Sequence, residues 1–151
     1  MPKPVLNPDT VGFFGKLPAT GDFVARGLPQ GLRPFLDQWL TRNFAHRART
    51  PDDWPTDGCR AIVKWEKNWL ILLILPSRDK AGREFPLAVC RTTHCTPDRT
   101  SADIWCNTVF DLARDAIENI TTADDLIQLL ALLEDTNLTP EANPKEVSIW
   151  P

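Results

Sequence analysis

Apolar residues in the first half of the chain alternate between strand-like and helix-like spacing. The short apolar segment 11–17, VGFFGKL, predicts a strand. From residue 32 to 44 apolar side chains recur at steps of three and four, which predicts one amphipathic helix. The segments 59–65, CRAIVKW, and 69–75, WLILLIL, predict two strands joined by a turn near residue 67. The apolar face of the predicted helix comprises Leu32, Phe35, Leu36, Trp39, Leu40 and Phe44.

The second half begins with one more strand and then becomes helical. The segment 87–93, LAVCRTT, predicts a further strand, and the tail from residue 141 to 151 ends on what reads as the start of another. Ser101 is the expected N-cap of a helix that extends to about residue 120, and Thr122 that of a second helix. Together the pattern predicts an α+β fold, with a mostly antiparallel central sheet of three to five strands covered by helices.

Length and composition indicate one domain. The chain has 151 residues, of which 42% are hydrophobic, enough for a sizeable core. Residues 1–10 contain three prolines and read as a flexible arm, so that residues 11–151 form a single domain. We expect residues 69–75 to be its central strand, paired antiparallel to residues 60–65.

Charge and hydropathy limit the partners. The net charge of −3 gives no electrostatic reason to expect nucleic acid or an anionic membrane. The longest apolar run has seven residues, far fewer than a membrane span needs, and no signal peptide opens the sequence. We therefore expect a cytoplasmic protein whose four cysteines are reduced thiols.

Catalytic motifs are not evident. Gly15 and Lys16 are followed by leucine, so the glycine-rich start lacks the hydroxyl of a phosphate-binding loop. Cys90, His94 and Cys95 stand close together, but a structural zinc site needs a second ligand pair at matching spacing. We expect no cofactor and no zinc. The alternative function left open is a small cytoplasmic thiol-dependent hydrolase or redox protein using Cys90 or Cys95 with His94.

The segment 12–29, GFFGKLPATGDFVARGLP, combines turn-forming and charged residues in a way that two hypotheses explain. In the structural one it is a stapled loop after an edge strand. Gly21 and Gly27 then permit positive φ or close approach, and Asp22 caps local amides or pairs with Lys16 or Arg26. In the functional one the loop is a recognition surface on which Lys16 is an exposed charge.

Two irregular motifs, in this order and separation, resemble the N-terminal domain of the TagF (ImpM) family. The first has the pattern Gly-Lys-x-Pro-x-x-Gly-Asp-Phe, and a tryptophan-containing helix follows it. The second, PSRDKAGREFPL at 76–87, follows an apolar strand. The first motif falls on Gly15, Lys16, Pro18, Gly21, Asp22 and Phe23, and the second on Pro76, Ser77, Asp79, Gly82, Arg83, Phe85, Pro86 and Leu87.

The resemblance, which covers about residues 11–135, implies regulation rather than catalysis. TagF-like proteins are accessory proteins of the bacterial type VI secretion system and act as post-translational repressors. The implied partners are type VI secretion components, with a forkhead-associated scaffold protein as one candidate. Some members are fused to a PP2C-type phosphatase, so this chain is either a short member or a domain of a longer protein. The candidate contact residues are Gly15, Lys16, Pro18, Gly21, Asp22, Phe23, Arg26, Gly82 and Arg83, with Arg83 favoured for its planar fork of donors.

Overall fold

The computed structural model describes residues 9–44, 46–47, 50–134 and 136–151. Within these residues the chain forms one six-stranded sheet and three α-helices. The strands are β1 (Thr10–Gly15), β2 (Val24–Arg26), β3 (Cys59–Trp65), β4 (Asn68–Leu75), β5 (Leu87–Thr93) and β6 (Val147–Trp150). The helices are α1 (Leu32–Asn43), α2 (Arg99–Glu118) and α3 (Ala123–Ala131).

The sheet is antiparallel throughout, in the order β2-β1-β5-β4-β3-β6. β4 lies in its interior and pairs with β3 in a register that places Ile62 opposite Ile71. The predicted central strand and its antiparallel partner are therefore confirmed. The continuous apolar run of β4 follows from this position, since both of its faces are covered.

The sheet has one strand more than the upper limit of the prediction. β2 is only three residues long and lies inside the glycine-rich segment, where no alternating apolar pattern marks it. It pairs with β1 and forms one edge of the sheet, so β1 is an inner strand. The prediction that the glycine-rich loop follows an edge strand was therefore wrong. β6 forms the other edge and is the strand that the sequence pattern indicated in the tail.

The two faces of the sheet bury separate apolar clusters. On one face α1 packs through Leu36 and Leu40 against inward side chains of β4 such as Leu72. On the other face α2 and α3 pack through residues such as Trp105 against the alternate side chains of the same strands. Because successive strand residues point to opposite faces, β1, β3, β4 and β5 each contribute to both clusters. The observed fold is α+β, with the sheet between two helical layers.

The helix termini differ partly from the prediction. The N-cap of α2 is Asp98, three residues before the expected Ser101. The Asp98 carboxylate accepts a hydrogen bond from the Ser101 amide at 2.7 Å, and the helix begins at Arg99. The buried Ser101 hydroxyl instead accepts the amide of Thr139 at 2.7 Å. The predicted cap of α3 is confirmed, since Thr122 Oγ1 accepts the Asp125 amide at 3.1 Å.

The expected arm lies mostly outside the described residues, which begin at Asp9. Thr10 already belongs to β1, and the Asp9 carboxylate lies 2.8 Å from the buried guanidinium of Arg91. Asp9 and Thr10 are therefore part of the folded domain. Over the described part of the chain, no helix combines the length and apolar character that crossing a membrane requires.

Candidate functional site: the paired motif loops

The two sequence motifs form loops that lie side by side and share one buried carboxylate. We call residues 15–23 the first motif loop and residues 76–87 the second motif loop. Asp79 of the second loop is 1% exposed. Its Oδ2 lies 3.2 Å from Lys16 Nζ and accepts a hydrogen bond from Arg83 Nε at 2.8 Å. A single carboxylate therefore joins cations from both loops.

The other oxygen of Asp79 shapes its own loop. Oδ1 accepts hydrogen bonds from the backbone amides of Ala81 and Arg83, both at 2.9 Å. Gly82, with φ 85°, provides the left-handed residue that this turn needs. Burial alone would raise the pKa of Asp79, but the Arg83 amide and side chain and the Lys16 ammonium lower it to about 2. Asp79 is thus ionised at neutral pH.

Backbone groups also bind the loops together. The Ser77 hydroxyl donates to the carbonyl of Lys16 at 2.7 Å, and the Lys80 amide donates to the carbonyl of Thr20 at 2.6 Å. Arg83 reaches the first loop as well, because its Nη2 donates to the carbonyl of Gly21 at 2.8 Å. These contacts make the two loops one rigid unit.

Three aromatic rings pack beside the charged group. Phe23 stacks parallel to Phe14 at a centroid distance of 5.7 Å and meets Phe85 edge to face at 4.9 Å. Lys16 Nζ lies 4.8 Å from the Phe23 centroid, within cation–π range. Phe23 remains 37% exposed, so the surface of the paired loops presents an aromatic ring beside the Lys16 ammonium.

The glycines of the first loop have different roles. Gly15 has φ 142°, and a Cβ there would collide with the backbone of Pro86 in the second loop. Gly27 has φ 73° and approaches Val11 closely, as expected. The expectation for Gly21 was wrong, since it has no positive φ and a Cβ would meet no atom within 4 Å.

Lys16 does not occupy the position that the sequence suggested, whereas Asp22 caps a local amide as expected. Lys16 is only 7% exposed and is paired with Asp79, which contradicts its interpretation as an exposed charge. Asp22 is exposed and its Oδ1 accepts the amide of Phe23 at 2.7 Å, so it caps a local amide but is not the residue that joins the loops.

Two further candidates lie at the margins of the paired loops. Arg26 lies on β2 and pairs with Asp124 of α3 at 2.9 Å, apart from the charged group around Asp79. Pro18 is buried at the edge of a cleft described below.

Asp79 is the central residue of the site. It belongs to the second motif, but the sequence did not mark it as a candidate contact residue. The pattern Asp-x-x-Gly-Arg around it could have indicated its role, since an aspartate three residues before a glycine is typical of a capped turn. What the sequence could not show is that the same carboxylate would receive Lys16 from the other motif.

The cysteines provide little support for thiol chemistry. Cys90 is buried under α1, and burial raises the pKa of its thiol far above the usual range. His94 and Cys95 are exposed at the end of β5. Among the described residues, no three His, Cys, Asp or Glu side chains are placed to hold a metal ion. That the protein binds no zinc stays a prediction.

The fold and the paired loops define an α+β domain built around a single antiparallel sheet, with one rigid polar and aromatic loop surface. A model of the TagF N-terminal domain, described as type VI secretion system-associated, matches residues 12–133. The chain therefore belongs to the TagF N-terminal domain family, and the resemblance inferred from the two motifs is confirmed.

Solved structures share this fold. The chain is similar to PA0076 from Pseudomonas aeruginosa PAO1, with 27% identity and a TM-score of 0.66 over 85% of this chain. The matched region spans 64% of the PA0076 chain. No curated protein sequence gives a significant match.

Proposed function

We propose that this domain is a non-catalytic accessory protein that represses type VI secretion after protein synthesis, through protein–protein contacts. Family membership supports the association with type VI secretion. The paired motif loops support contact rather than turnover, since their charged groups bind one another and hold a surface in place. In this proposal the domain acts in the cytoplasm and needs no cofactor.

The observation that carries the proposal is the state of Arg83. Its side chain is 64% exposed, yet its guanidinium is held by both Asp79 and the carbonyl of Gly21. An arginine fixed in this way loses less rotamer freedom on binding than a free one, which favours its use at an interface. The partly exposed ring of Phe23, on the same paired loops, adds the aromatic contact that interfaces favour.

The proposed partners are type VI secretion components, with a forkhead-associated scaffold protein as the first candidate. Fusion of this domain to a PP2C-type phosphatase would bring such an enzyme to the same partner.

A secretion assay with one arginine changed tests the proposal. Bacteria with a constitutively active type VI system would express the wild-type chain or the Arg83→Ala variant, and a secreted effector would be measured in the medium. We expect the wild-type chain to lower secretion at least tenfold and Arg83→Ala to lose most of that repression, with both proteins present at equal levels.

Arg114→Ala is the matched control. Arg114 is a partly exposed arginine on α2 that also lies beside carboxylates, Asp111 and Asp115. It should repress like the wild-type chain. Failure of the wild-type chain to lower secretion would contradict the proposed function, whereas full repression by Arg83→Ala would remove this residue from the interface.

A further inference from the structure

Ile120 has a conformation and an exposure that the fold does not explain. It follows the C-cap Asn119 of α2 with a left-handed φ of 55°. The Thr121 amide donates to the carbonyl of Ala116 at 3.1 Å, which closes the helix in the arrangement where glycine usually occupies this position. A β-branched residue is strained in this conformation.

Burial does not compensate for that strain, because the Ile120 side chain is 56% exposed. Glycine or asparagine would end the helix with less strain and would expose less apolar surface. An exposed apolar residue held in a strained conformation indicates a role in contact with another molecule rather than in the stability of the fold.

Ile120 lines an open cleft of about 460 Å³ next to the paired motif loops. The half-buried Ala19 of the first loop provides further apolar surface, the buried Pro18 lies at the edge of the cleft, and Thr122 lies at its helical side. The cleft thus joins the end of α2 to the motif that marks the family.

The charged residues that line the cleft are mostly basic. Arg78 and Lys80 of the second motif loop are both exposed. The carboxylate among the lining residues is that of Asp79, whose oxygens are occupied by Lys16, Arg83 and two backbone amides. In a chain with a net charge of −3, this cleft combines apolar surface with a basic rim.

Other acidic residues of this region lie outside the lining of the cleft. The Asp22 carboxylate binds the amide of Phe23, and Asp124 is paired with Arg26. Glu84 is exposed on the second motif loop, and Asp125 is exposed in the first turn of α3.

Resting on the proposed function, we infer that the cleft docks an acidic segment of a partner protein. An apolar side chain of that segment packs against the exposed side chain of Ile120, and its carboxylates meet Arg78 and Lys80. Complementary charge provides the selection between partners, and the apolar contact provides burial.

Two variants separate docking from folding. Ile120→Gly removes the apolar contact and relieves the strained backbone, so we expect an unchanged or higher melting temperature together with loss of repression. Arg78→Glu with Lys80→Glu reverses the rim, and we expect a loss of repression of at least tenfold. Lys64→Glu near the end of β3, combined with Lys67→Glu on the turn between β3 and β4, is the matched charge-reversal control and should repress normally.

Photo-crosslinking identifies the chemistry of the partner. A photoreactive benzoylphenylalanine would replace Ala19 in cells with an active secretion system, and mass spectrometry would read the crosslinked peptide. We expect a segment of another protein with several aspartates or glutamates around an apolar residue. The yield of this crosslinked peptide should fall at least tenfold when the chain also carries Arg78→Glu and Lys80→Glu. The same photoreactive residue at Leu132, which is 80% exposed at the end of α3, should not capture that segment.

Three results of the crosslinking experiment would overturn the inference. They are crosslinks to a second copy of this chain, crosslinks to neutral or basic segments, and no crosslink from position 19. If the wild-type chain represses secretion and both cleft variants repress it equally well, the inference would also be overturned, while the proposed function would stand. Absence of repression by the wild-type chain would instead refute the proposed function.

Discussion

Lys16 Nζ lies 3.2 Å from Oδ2 of Asp79, which links the residue that follows β1 to the loop between β4 and β5. Both side chains are almost fully buried, so neither charge could stay there without the other. Arg83 shares the same oxygen from the solvent side. This arrangement explains why two distant charged motifs form a single surface, and it leads to the following predictions.

Replacing Asp79 should destabilise the domain through its neighbours. Asp79→Asn removes the negative charge, leaving the buried ammonium of Lys16 without a partner and weakening the bonds to Arg83. We expect the melting temperature to fall by several degrees. Asp22→Ala is the control, because Asp22 is exposed and, within the described part of the chain, its carboxylate binds only the amide of Phe23. This substitution should lower the melting temperature much less. Equal effects in differential scanning calorimetry would show that Asp79 does not join the loops.

The stability of the domain should also depend on pH through Asp79. Its pKa is about 2 in the folded chain and near 3.8 in the unfolded chain, so the unfolded state binds the proton more readily. The stabilising contribution is therefore complete above about pH 5 and is lost as the pH falls through 2. Urea unfolding at intervals from pH 6 to pH 2 should show the difference between wild type and Asp79→Asn shrinking toward low pH. A constant difference would contradict the lowered pKa.

The two glycines of the first motif loop should differ in their tolerance of alanine. Gly15→Ala places a Cβ against the backbone of Pro86 at a positive φ, and we expect it to lower the free energy of unfolding by more than about 2 kcal/mol. Gly21→Ala meets no neighbour and should change it by less than about 0.5 kcal/mol. Chemical denaturation measures both, and a large loss for Gly21→Ala would show a constraint on that residue that the structure does not contain.

Cysteine alkylation tests the alternative of thiol chemistry. The exposed Cys95 should react with iodoacetamide in the native protein, at the rate of an ordinary thiol. Cys90 and Cys106 are buried, and burial raises the pKa of Cys106 to about 12, so both should react only after unfolding. Mass spectrometry of labelled peptides gives the four rates. Unusually fast labelling of Cys95 at neutral pH would indicate an activated thiol and would reopen the enzyme hypothesis.

Much of the architecture could be predicted from local pattern. The apolar run of β4, the helical spacing of α1 and the Thr122 cap of α3 depend on residues close in sequence, and each was predicted correctly. β2 was missed because three residues between glycine-rich turns have no period to detect; its pairing with β1 makes it a strand.

The sequence by itself determined the periodicity of the core elements, the two motifs and through them the family. Only the tertiary structure decided which charges meet. Lys16 could have paired with Asp22, which is near in sequence, but the sheet places β1 next to β5 and so brings the loop that precedes β5 over Lys16. The same is true of the cleft, since Ile120 reaches the motif loops only because α2 ends beside them. Local preferences act over a few residues, whereas these contacts depend on how strands and helices distant in sequence pack together.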